Sequence, residues 1–399
     1  MGLQIKARYL WDGDSGWSGS ATIRIAEGCI RLVETQRHEI PRAGDEIYEF
    51  GEATILPGLI DMHTHLGIDH QTGDIKAQMQ DPPVRHILAG SESLRRDLMS
   101  GVTAVKLNGD RDFYDLQMRD AVRDGLVCGP RLVVSGRGIK SSRCTGGVVA
   151  TRVVDDPESV GRCVDENLAA GVDWIKLFSS GSVFGPRTEV LQPFYGFSQL
   201  SMAASRAHVA GRRMSSHCFG GEAADACIKA GVDVIDHGWL LSDRQLGEMA
   251  RQGTWLCPTL GVLTHPEGVL GHLPHGPARE EARRRIDEVR EAVRTALRIG
   301  VPLLTGTDAM HGGLAYELAT LQDLGGAPTM LLKAATGNAA RALGLVGEIG
   351  TIRGGASADL LVVRGDAMQD VGCVADVLLV MQAGRIVREE PRVGSREPR

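Results

Sequence analysis

The sequence predicts an α/β protein, a (βα)8 TIM barrel with a small β-sandwich domain that both termini build. Strand-like apolar runs alternate with helical stretches in the middle of the chain, both ends carry strand patterns, and ligand-type polar residues stand where predicted strands end. A chain of 399 residues is long enough for one barrel of roughly 250 residues and a smaller domain. We assign residues 1–56 and 347–399 to the β-sandwich and residues 57–346 to the barrel.

The two ends of the chain show the pattern of half-buried strands. Apolar residues alternate with other residues over 3–9 and again over 21–25, which is the period of two that strands have. Residues 358–363 and 377–381 are short apolar runs, and a turn at 383–384 follows the second run. We expect both ends to share one sheet layer.

In the middle of the chain, helical stretches close with a glycine-valine step, and a short apolar run follows each step. The steps begin at Gly101, Gly171, Gly231 and Gly300. Glycine suits the left-handed conformation that ends many helices, and the runs resemble parallel strands buried on both faces. The clearest helix covers residues 279–299, where one apolar stripe lies beside charged faces. This alternation over about 290 residues favours a barrel over a doubly wound sheet.

Composition and charge argue against nucleic acid and membranes as partners. The chain has 44 Lys+Arg against 50 Asp+Glu, a formal net charge of −6, whereas a polyanion-binding surface needs a basic excess. No run approaches the ~18 apolar residues of a membrane span, and residues 1–14 lack a signal-peptide layout. The eight cysteines form no C-x-x-C pair, which favours reduced thiols. We expect a cytoplasmic protein, and its oligomeric state is open.

Two histidines close the first strand of the predicted barrel. Residues 54–65 form an apolar run that ends in His63 and His65, spaced i, i+2. On a strand this spacing points both imidazoles the same way, and together they make half of a transition-metal site, for which zinc is the default ion. Such a pair also occurs as two hydrogen-bonded polar residues at a strand end, so both interpretations stay open at this point.

Further ligand-type residues stand at four other predicted strand ends. They are Lys176, His217, His237 and Asp308. Because a barrel places all C-terminal strand ends around one mouth, residues distant in sequence become neighbours there. The set predicts one metal site rather than unrelated polar residues. No G-x-G-x-x-G, Walker lysine loop, G-x-S-x-G or H-E-x-x-H motif is present, so dinucleotide, NTP, serine-hydrolase and zincin functions lack their signatures.

Over nearly its whole length the chain resembles the amidohydrolase superfamily, specifically its imidazolonepropionase-like and prolidase-like (Xaa-Pro dipeptidase-like) members. The marks are Pro57-Gly58-Leu59-Ile60-Asp61-x-His63-x-His65, Ile175-Lys176, the His217 strand, Asp236-His237-Gly238, Pro258-Thr259-Leu260, Gly306-Thr307-Asp308 and the C-terminal stretches 334–344 and 347–359. The resemblance implies a metal-bearing (βα)8 barrel flanked by a β-sandwich from both termini. It also implies an enzyme, a metal-dependent hydrolase of C–N bonds.

The resemblance further implies two Zn²⁺ ions per chain and the residues that bind them. Its ligands would be His63, His65 and Asp308 for the more buried ion, His217 and His237 for the more exposed ion, and carboxylated Lys176 together with a hydroxide between the two. A lysine ammonium would be repelled by two divalent ions, whereas a carbamate offers two oxygens that can bridge them. A lysine paired with a nearby carboxylate is the alternative.

The expected reaction is hydrolysis of an amide-type bond in a small molecule such as a dipeptide, N-acyl amino acid, carbamate or cyclic amide. By the same resemblance, Asp308 would be the general base and acid, taking a proton from the hydroxide and passing it to the leaving nitrogen. One alternative is a mononuclear deaminase or ring-opening hydrolase with unmodified Lys176. The alternative from another class is a non-catalytic scaffold of this fold, which the six competent ligand positions disfavour.

Residues in loops after predicted strands are candidates for binding the substrate. They are Lys140, Arg143, Arg187, Tyr195 and His311. Many prolidase-like relatives carry Gly-Gly-His after the third strand, where this chain has Gly146-Gly147-Val148 and therefore lacks a histidine expected near the substrate.

Two further features of the sequence concern the surroundings of the site. The loop with His265, His272 and His275 is more typical of a surface loop than of a second metal site. Asp236, next to His237, is expected to orient that imidazole.

Overall fold

The structure is a computed structural model that describes residues 2–35, 44–144, 149–181, 190–272 and 276–390. The strands are β1 (Leu3–Trp11), β2 (Gly16–Ala26), β3 (Cys29–Glu34), β4 (Glu46–Glu49), β5 (Ala53–Pro57), β6 (Leu59–Thr64), β7 (Val102–Leu107), β8 (Arg131–Val133), β9 (Gly138–Lys140), β10 (Ala150–Val153), β11 (Trp174–Phe178), β12 (Arg213–Gly220), β13 (Val234–Leu240), β14 (Trp255–Cys257), β15 (Leu360–Arg364), β16 (Val377–Gln382) and β17 (Arg385–Glu389).

The helices are α1 (Ile75–Gln78), α2 (Pro83–Met99), α3 (Tyr114–Arg123), α4 (Pro157–Ala170), α5 (Phe197–Val209), α6 (Gly221–Ala230), α7 (Asp243–Gln252), α8 (Gly261–Thr264), α9 (Val269–His272), α10 (Pro277–Ile299), α11 (Leu314–Asp323), α12 (Pro328–Ala334) and α13 (Gly337–Leu343). The chain divides into two compact units. The terminal unit comprises Met1–Ile60, Arg96–Thr103 and Ala327–Arg399, and the central unit comprises Asp61–Arg95 and Ala104–Gly326.

The terminal unit contains one mixed eight-stranded sheet to which both ends of the chain contribute. Its order is β17-β16-β15-β5-β1-β2-β3, and β4 also pairs with β1. The two ends meet where β15 runs antiparallel to β5, with Val362 opposite Ile55. Alternate residues such as Ile5, Ile23 and Leu360 are buried in the core, as the period of two predicts. The shared sheet is therefore confirmed, whereas the second layer of a sandwich stays a prediction.

The terminal unit has other borders than the predicted 56/57 and 346/347, because its first segment extends to Ile60 and α12 and α13 group with the terminal sheet. The indole Nε1 of Trp11 donates to Oγ1 of Thr336 at 3.1 Å. The amide of Ile60 donates to the carbonyl of Ala335 at 2.8 Å. Both contacts join the turn between α12 and α13 to residues from the N-terminal part of the chain. No local sequence pattern predicts such long-range contacts.

The central unit contains parallel sheets with helices between the strands. One sheet has the order β10-β9-β11-β12-β13-β14, and a three-stranded sheet has the order β6-β7-β8, whose first two strands begin among residues of the terminal unit. The recorded pairs of the larger sheet are all parallel. Helices α5, α6 and α7 separate successive strands from β11 to β14. The predicted α/β alternation is confirmed.

The predicted glycine caps have the expected conformation. Gly171, Gly231 and Gly300 end α4, α6 and α10 with φ of 91°, 76° and 80°, and Gly101 before β7 has φ of 95°. Three of the four following runs form strands. The fourth, after Gly300, makes only an isolated bridge between Leu303 and Leu256, since Pro302 has no N–H to extend a ladder. No helix in the described part of the chain is long and apolar enough to cross a membrane.

Candidate active site

The C-terminal ends of the central parallel strands bring all six predicted ligands into one cluster. The ligands are His63 at the end of β6, His65 just after it, Lys176 on β11, His217 on β12, His237 on β13 and Asp308 in the turn after Leu303. The histidines and the lysine are buried, and the Asp308 side chain is 19% exposed. Parallel strands present these ends at one edge, which explains the convergence.

Strand β6 aims two imidazoles at one carboxylate. Nε2 of His63 and Nε2 of His65 each lie 3.3 Å from Oδ1 of Asp308. The three ligand atoms all lie within 4.8 Å of one another. The backbone fixes this approach, because the amide of Asp308 donates to the carbonyl of His63 at 2.7 Å. Two imidazole nitrogens and a carboxylate oxygen that converge on one point suit a divalent ion such as zinc.

Asp61 joins β6 to the turn that carries Asp308. Its Oδ1 accepts hydrogen bonds from the amide of His63 at 2.9 Å and the amide of Thr307 at 3.2 Å. Its Oδ2 accepts from the hydroxyl of Thr307 at 2.6 Å. We did not assign Asp61 a role from the sequence, although an aspartate inside an apolar run, two residues before a histidine, is an available signal.

The imidazoles of His217 and His237 extend the cluster. Their ring centroids are 4.6 Å apart, and the centroid of His237 is 5.0 Å from that of His63. Nε2 of His217 lies 2.7 Å from the carbonyl of Gly181, and Nδ1 of His237 lies 2.7 Å from Oγ1 of Thr259. One nitrogen of each ring is thus engaged by the protein, which leaves the other nitrogen to bind an ion.

Lys176 and Asp236 form a buried ion pair beneath the histidines. Nζ of Lys176 contacts Oδ2 of Asp236, and Oδ1 of Asp236 lies 3.0 Å from Nδ1 of His63. The expectation that Asp236 orients His237 is corrected by this geometry. Asp236 contacts Lys176 and His63, whereas Thr259 is the hydrogen-bond partner of His237, whose φ of 70° departs from the strand conformation.

Burial sets the protonation states in the cluster. It lowers the pKa of His217 to about 4 and lowers the pKa values of His65 and His237 as well. These rings are therefore neutral at neutral pH, which is the form that binds metals. Burial opposes ionisation of Asp308, yet the contacts with His63 and His65 hold the pKa of its carboxyl well below the usual range. His65, His217, His237 and Asp308 are therefore in the protonation states that bind a cation.

The backbone is strained where the cluster is built. His237, Thr259, Asp308 and Ala309 have φ of 70°, 49°, 50° and 65°, in the left-handed region that non-glycine residues rarely adopt. Such conformations cost of order 1–3 kcal/mol each and persist where the surrounding structure enforces them, often at functional sites. Four of them at or next to predicted ligands support a functional role for this region.

The predicted substrate-binding residues are only partly described. Arg187, Gly146-Gly147-Val148 and His275 lie outside the described residues. Nε2 of His311 lies 3.0 Å from the carbonyl of Ile68, and the hydroxyl of buried Tyr195 donates to the carbonyl of Val154 at 2.7 Å. A substrate contact by either residue stays a prediction.

Two further predicted residues lie near Phe194 and on β9. Arg143 donates to the carbonyl of Phe194 at 2.7 Å, and Lys140 is half-buried at the end of β9. Of the histidine-rich loop, His265 packs its ring against Tyr316, with centroids 4.6 Å apart. Nε2 of His272 lies 2.8 Å from the carbonyl of His70. Substrate binding by Arg143 and Lys140 also stays a prediction.

Lys106 is a second buried lysine that we did not assign from the sequence. Its Nζ contacts Oδ1 of Asn108 and donates to Oγ of Ser215 at 3.2 Å. Burial lowers the pKa of Lys106 to about 8, although the charge of Asp236 acts in the opposite direction. A signal was available, since Lys106 and Lys176 each stand five residues after a cap glycine, at Gly101 and Gly171.

Comparison with known proteins agrees with this geometry. The family model described as "Amidohydrolase family" matches residues 54–387, most of the chain. The chain belongs to the amidohydrolase family. An uncharacterized protein of Mycobacterium tuberculosis is 30% identical over 368 residues, which cover 89% of this chain and 90% of that protein. The ochratoxinase of Aspergillus niger is 25% identical over 403 residues, which cover 92% and 82% of the two chains.

A solved structure agrees on the fold. The crystal structure of a Xaa-Pro dipeptidase with bound methionine in the active site matches with a TM-score of 0.86 at 24% identity, and the match covers 97% of this chain and 99% of that one. The predicted recognition is thus confirmed. The chain has an α/β fold and is a hydrolase that acts on carbon–nitrogen bonds. Its family depends on metal ions, and the chain carries groups of residues that could bind a metal ion.

Proposed function

We propose that this amidohydrolase is a binuclear zinc enzyme that cleaves the amide-type bond of a small molecule. The observation that carries the proposal is the convergence of Nε2 of His63 and Nε2 of His65 on Oδ1 of Asp308, with the rings of His217 and His237 beside them. A cluster of four imidazoles and a carboxylate has more metal donors than hydrogen bonding alone requires.

The proposal includes a closed (βα)8 barrel and a terminal β-sandwich. Three backbone hydrogen bonds support closure of the barrel. The amide of Trp174 donates to the carbonyl of Val134 at 3.2 Å, which links β11 to the residue after β8. The amide of Leu304 donates to Leu256 at 2.9 Å, and the amide of Met62 donates to Thr305 at 2.9 Å. Together with the two parallel sheets, these bonds would form a continuous ring of eight strand positions.

The ligands divide into two groups. His63, His65 and Asp308 would hold the more buried ion, and His217 and His237 the more exposed ion. Lys176 would lie between them as a carbamate after carboxylation by CO2. Bound divalent ions would polarise the amide carbonyl and lower the pKa of a water molecule toward neutrality.

Asp308 is the residue we assign to proton transfer. Its side chain is more exposed than those of His63 and His65, so it can be approached by a substrate while it still faces both rings. The Asp308 carboxylate would accept the proton of the attacking water and release it to the leaving nitrogen, because an amide nitrogen is not expelled unprotonated. The backbone of His63 and the carboxylate of Asp61 hold the turn in place for this role.

The substrate class is drawn from the chemistry of this site and from the relatives. An ochratoxinase and a Xaa-Pro dipeptidase are among the similar proteins, which supports a dipeptide, N-acyl amino acid, carbamate or cyclic amide. The substrate is a small molecule, with neither nucleic acid nor membrane as partner. A cytoplasmic location remains part of the proposal, and the oligomeric state remains open.

Metal content measured with and without bicarbonate tests the proposal. The full-length protein is stripped of metal and reconstituted with Zn²⁺, with or without ¹³C-labelled bicarbonate, and ions per chain and the ¹³C carbamate signal are measured. We expect two ions and a carbamate with bicarbonate, and fewer ions without it. A single ion with unmodified Lys176 would instead support the mononuclear enzyme.

An activity screen separates an enzyme of this class from a scaffold. The reconstituted protein is assayed against dipeptides, N-acyl amino acids, carbamates and cyclic amides, with release of the amine as the readout. We expect hydrolysis of at least one class, lost on chelation and restored by Zn²⁺. A fully metallated protein that hydrolyses no member of such a library would favour the non-catalytic scaffold.

A further inference from the structure

The hydrogen bond between Thr259 and His237 depends on a strained backbone. Oγ1 of Thr259 lies 2.7 Å from Nδ1 of His237, and both residues are buried. Thr259 has φ of 49°, which is unfavourable for a β-branched residue. Relaxation of this conformation would move the hydroxyl away from the ring. Something outside the turn must therefore hold Thr259 in place.

Helix α11 supplies that support through Glu317. The amide of Gly261 donates to Oε2 of Glu317 at 2.6 Å, and the amide of Leu260 also acts to lower the pKa of this carboxyl group. Both amides belong to the residues that directly follow Thr259. On the other side of Thr259, the carbonyl of Pro258 accepts the indole N–H of Trp239 at 2.6 Å. The turn 258–261 is thus held on both sides of the strained residue.

A glutamate at position 317 is energetically unfavourable. Its side chain is fully buried, and within the described residues Oε1 has no hydrogen-bond partner. Burial raises the pKa of Glu317 to about 8. An unsatisfied buried polar atom is destabilising, because it has given up its bonds to water without a replacement. A leucine or methionine would fill the space without this cost, so the contacts with the turn are the remaining structural reason for a carboxyl group here.

We propose that Glu317 is a positioning residue for His237, acting through the turn 258–261 and the hydroxyl of Thr259. It touches neither substrate nor ions. Its effect is to keep the acceptor that fixes the tautomer and orientation of the His237 ring. Outer partners of metal-binding histidines typically change metal affinity by 10–100-fold when they are removed. The inference rests on the proposed function in one respect, namely that His237 binds the second ion.

Stepwise metal titration of three variants and two controls tests the inference. The full-length protein is stripped of metal and titrated with Co²⁺ in the presence of bicarbonate, and the absorbance of each binding step is followed. In Glu317→Gln the amide oxygen can still accept the backbone N–H of Gly261, so we expect both steps to stay within about threefold of the unmodified protein. In Glu317→Met and Thr259→Val we expect the second step to weaken about 10–100-fold and the first step to remain.

Two matched controls separate positioning from general loosening. Tyr316→Phe removes the neighbouring contact of α11, in which the Tyr316 hydroxyl donates to the carbonyl of Thr264 at 3.0 Å. Thr305→Val removes a buried hydroxyl that has no hydrogen-bond partner among the described residues. Both are expected to bind Co²⁺ like the unmodified protein. A second step unchanged in Glu317→Met, or weakened equally in Tyr316→Phe, would overturn the inference.

A second readout does not depend on the metal. Long-range ¹H–¹⁵N spectra of the metal-free protein with labelled histidine report the tautomer of His237. We expect the Nδ1–H form in the unmodified protein and in Glu317→Gln, and a mixture of tautomers in Glu317→Met. If the unmodified protein binds only one ion, the two-ion proposal fails, whereas these spectra still decide the role of Glu317. Unchanged spectra in Glu317→Met would refute that role. This holds even if Glu317→Met binds metal poorly, because lower stability alone could weaken metal binding.

Discussion

The ammonium of Lys176 contacts the carboxylate of Asp236, and the same carboxylate lies 3.0 Å from His63. All three side chains are buried, so none of these charges is screened by water. Burial opposes ionisation of Asp236, yet the contacts with Lys176 and His63 hold its pKa well below the usual range. The pair is the alternative to carboxylation that the sequence left open. Carbamate formation would have to replace it.

Lys176→Arg separates these two states of the lysine. Arginine keeps a cation beside Asp236, but it cannot be carboxylated, so the variant retains an ion pair and loses the bridging ligand. We expect one bound ion per chain instead of two, and a loss of activity of at least about 100-fold, comparable to the removal of a catalytic group. Metal analysis and amide hydrolysis are measured with added bicarbonate.

The thermal midpoint checks that the larger arginine is tolerated in this buried position. The carboxylated state gains further support if bicarbonate raises the metal content of the unmodified protein but not of Lys176→Arg. Two ions and normal turnover in Lys176→Arg would show that a simple ion pair suffices.

Asp308→Asn tests proton transfer at the site. The amide is nearly the same size as the carboxylate but cannot take up a proton, so turnover should fall by about 10²–10⁴-fold. The backbone contact of Asp308 with His63 does not involve the side chain and is retained. Thermal midpoint and kcat are measured for both proteins. Asp165→Asn, which alters an exposed carboxylate paired with Arg206, serves as the control and should leave both unchanged.

Retention of more than about a tenth of the activity in Asp308→Asn would contradict the assigned role, since an essential proton carrier contributes more than that. A large fall in the thermal midpoint would instead indicate that the carboxylate mainly balances the charge of the cluster. The two readings make different predictions for metal-free protein. A purely catalytic role leaves its stability unchanged, whereas a structural role does not.

The parts of the molecule that sequence predicted best follow local or topological rules. A cap glycine such as Gly231 acts through its own φ angle, so its effect is visible within one helix turn. The gathering of His63, His217 and Asp308 follows from a general property of parallel strands, whose C-terminal ends meet at one edge. Neither rule requires knowledge of which side chains touch.

The parts that sequence did not predict depend on particular contacts between distant residues. Thr259 takes the place beside His237 that was expected of Asp236, because the backbone at both His237 and Thr259 adopts a left-handed conformation. Glu317 reaches the turn at Gly261 across 56 positions of sequence. Thr336 reaches Trp11 across 325 positions. Such pairs leave no periodic trace in one sequence.

The buried carboxyl of Glu317 predicts a pH-dependent stability. Its pKa is raised from 4.5 to about 8 by burial. Between these values the folded chain keeps a proton that the unfolded chain has lost, so the free energy of unfolding falls as pH rises, by at most about 1.4 kcal/mol per pH unit. Glu317→Gln removes this dependence. The thermal midpoint of Glu317→Gln relative to the unmodified protein should therefore rise from pH 5 to pH 8.

The comparison isolates one group. Asp115, whose pKa burial raises to about 7, contributes in the same direction but is present in both proteins and cancels. Above pH 8 both the folded and the unfolded forms of Glu317 are ionised, so the difference should level off. A difference in midpoint that stays flat or falls between pH 5 and pH 8 would show that Glu317 is ionised in the folded protein.

Gly300 and Gly247 offer a test of the fold that does not involve the site. Gly300 ends α10 with φ of 80°, and a Cβ there would meet no atom within 4 Å. Gly300→Ala should therefore destabilise by about 1–2 kcal/mol through backbone conformation alone. Gly247 lies inside α7, where a Cβ also meets no atom within 4 Å. Gly247→Ala should stabilise by about 0.5–1 kcal/mol, because alanine has the higher helix propensity.

Opposite shifts in thermal midpoint are thus expected from one chemical change at two open positions. The measurement is made on metal-free protein, so that ion binding does not contribute to the midpoint. If Gly300→Ala were neutral, α10 would not end in the left-handed conformation, and the strand position at Leu303 would lose the turn that precedes it. If both substitutions destabilised equally, steric contact rather than backbone conformation would decide the outcome, contrary to the open space around both glycines.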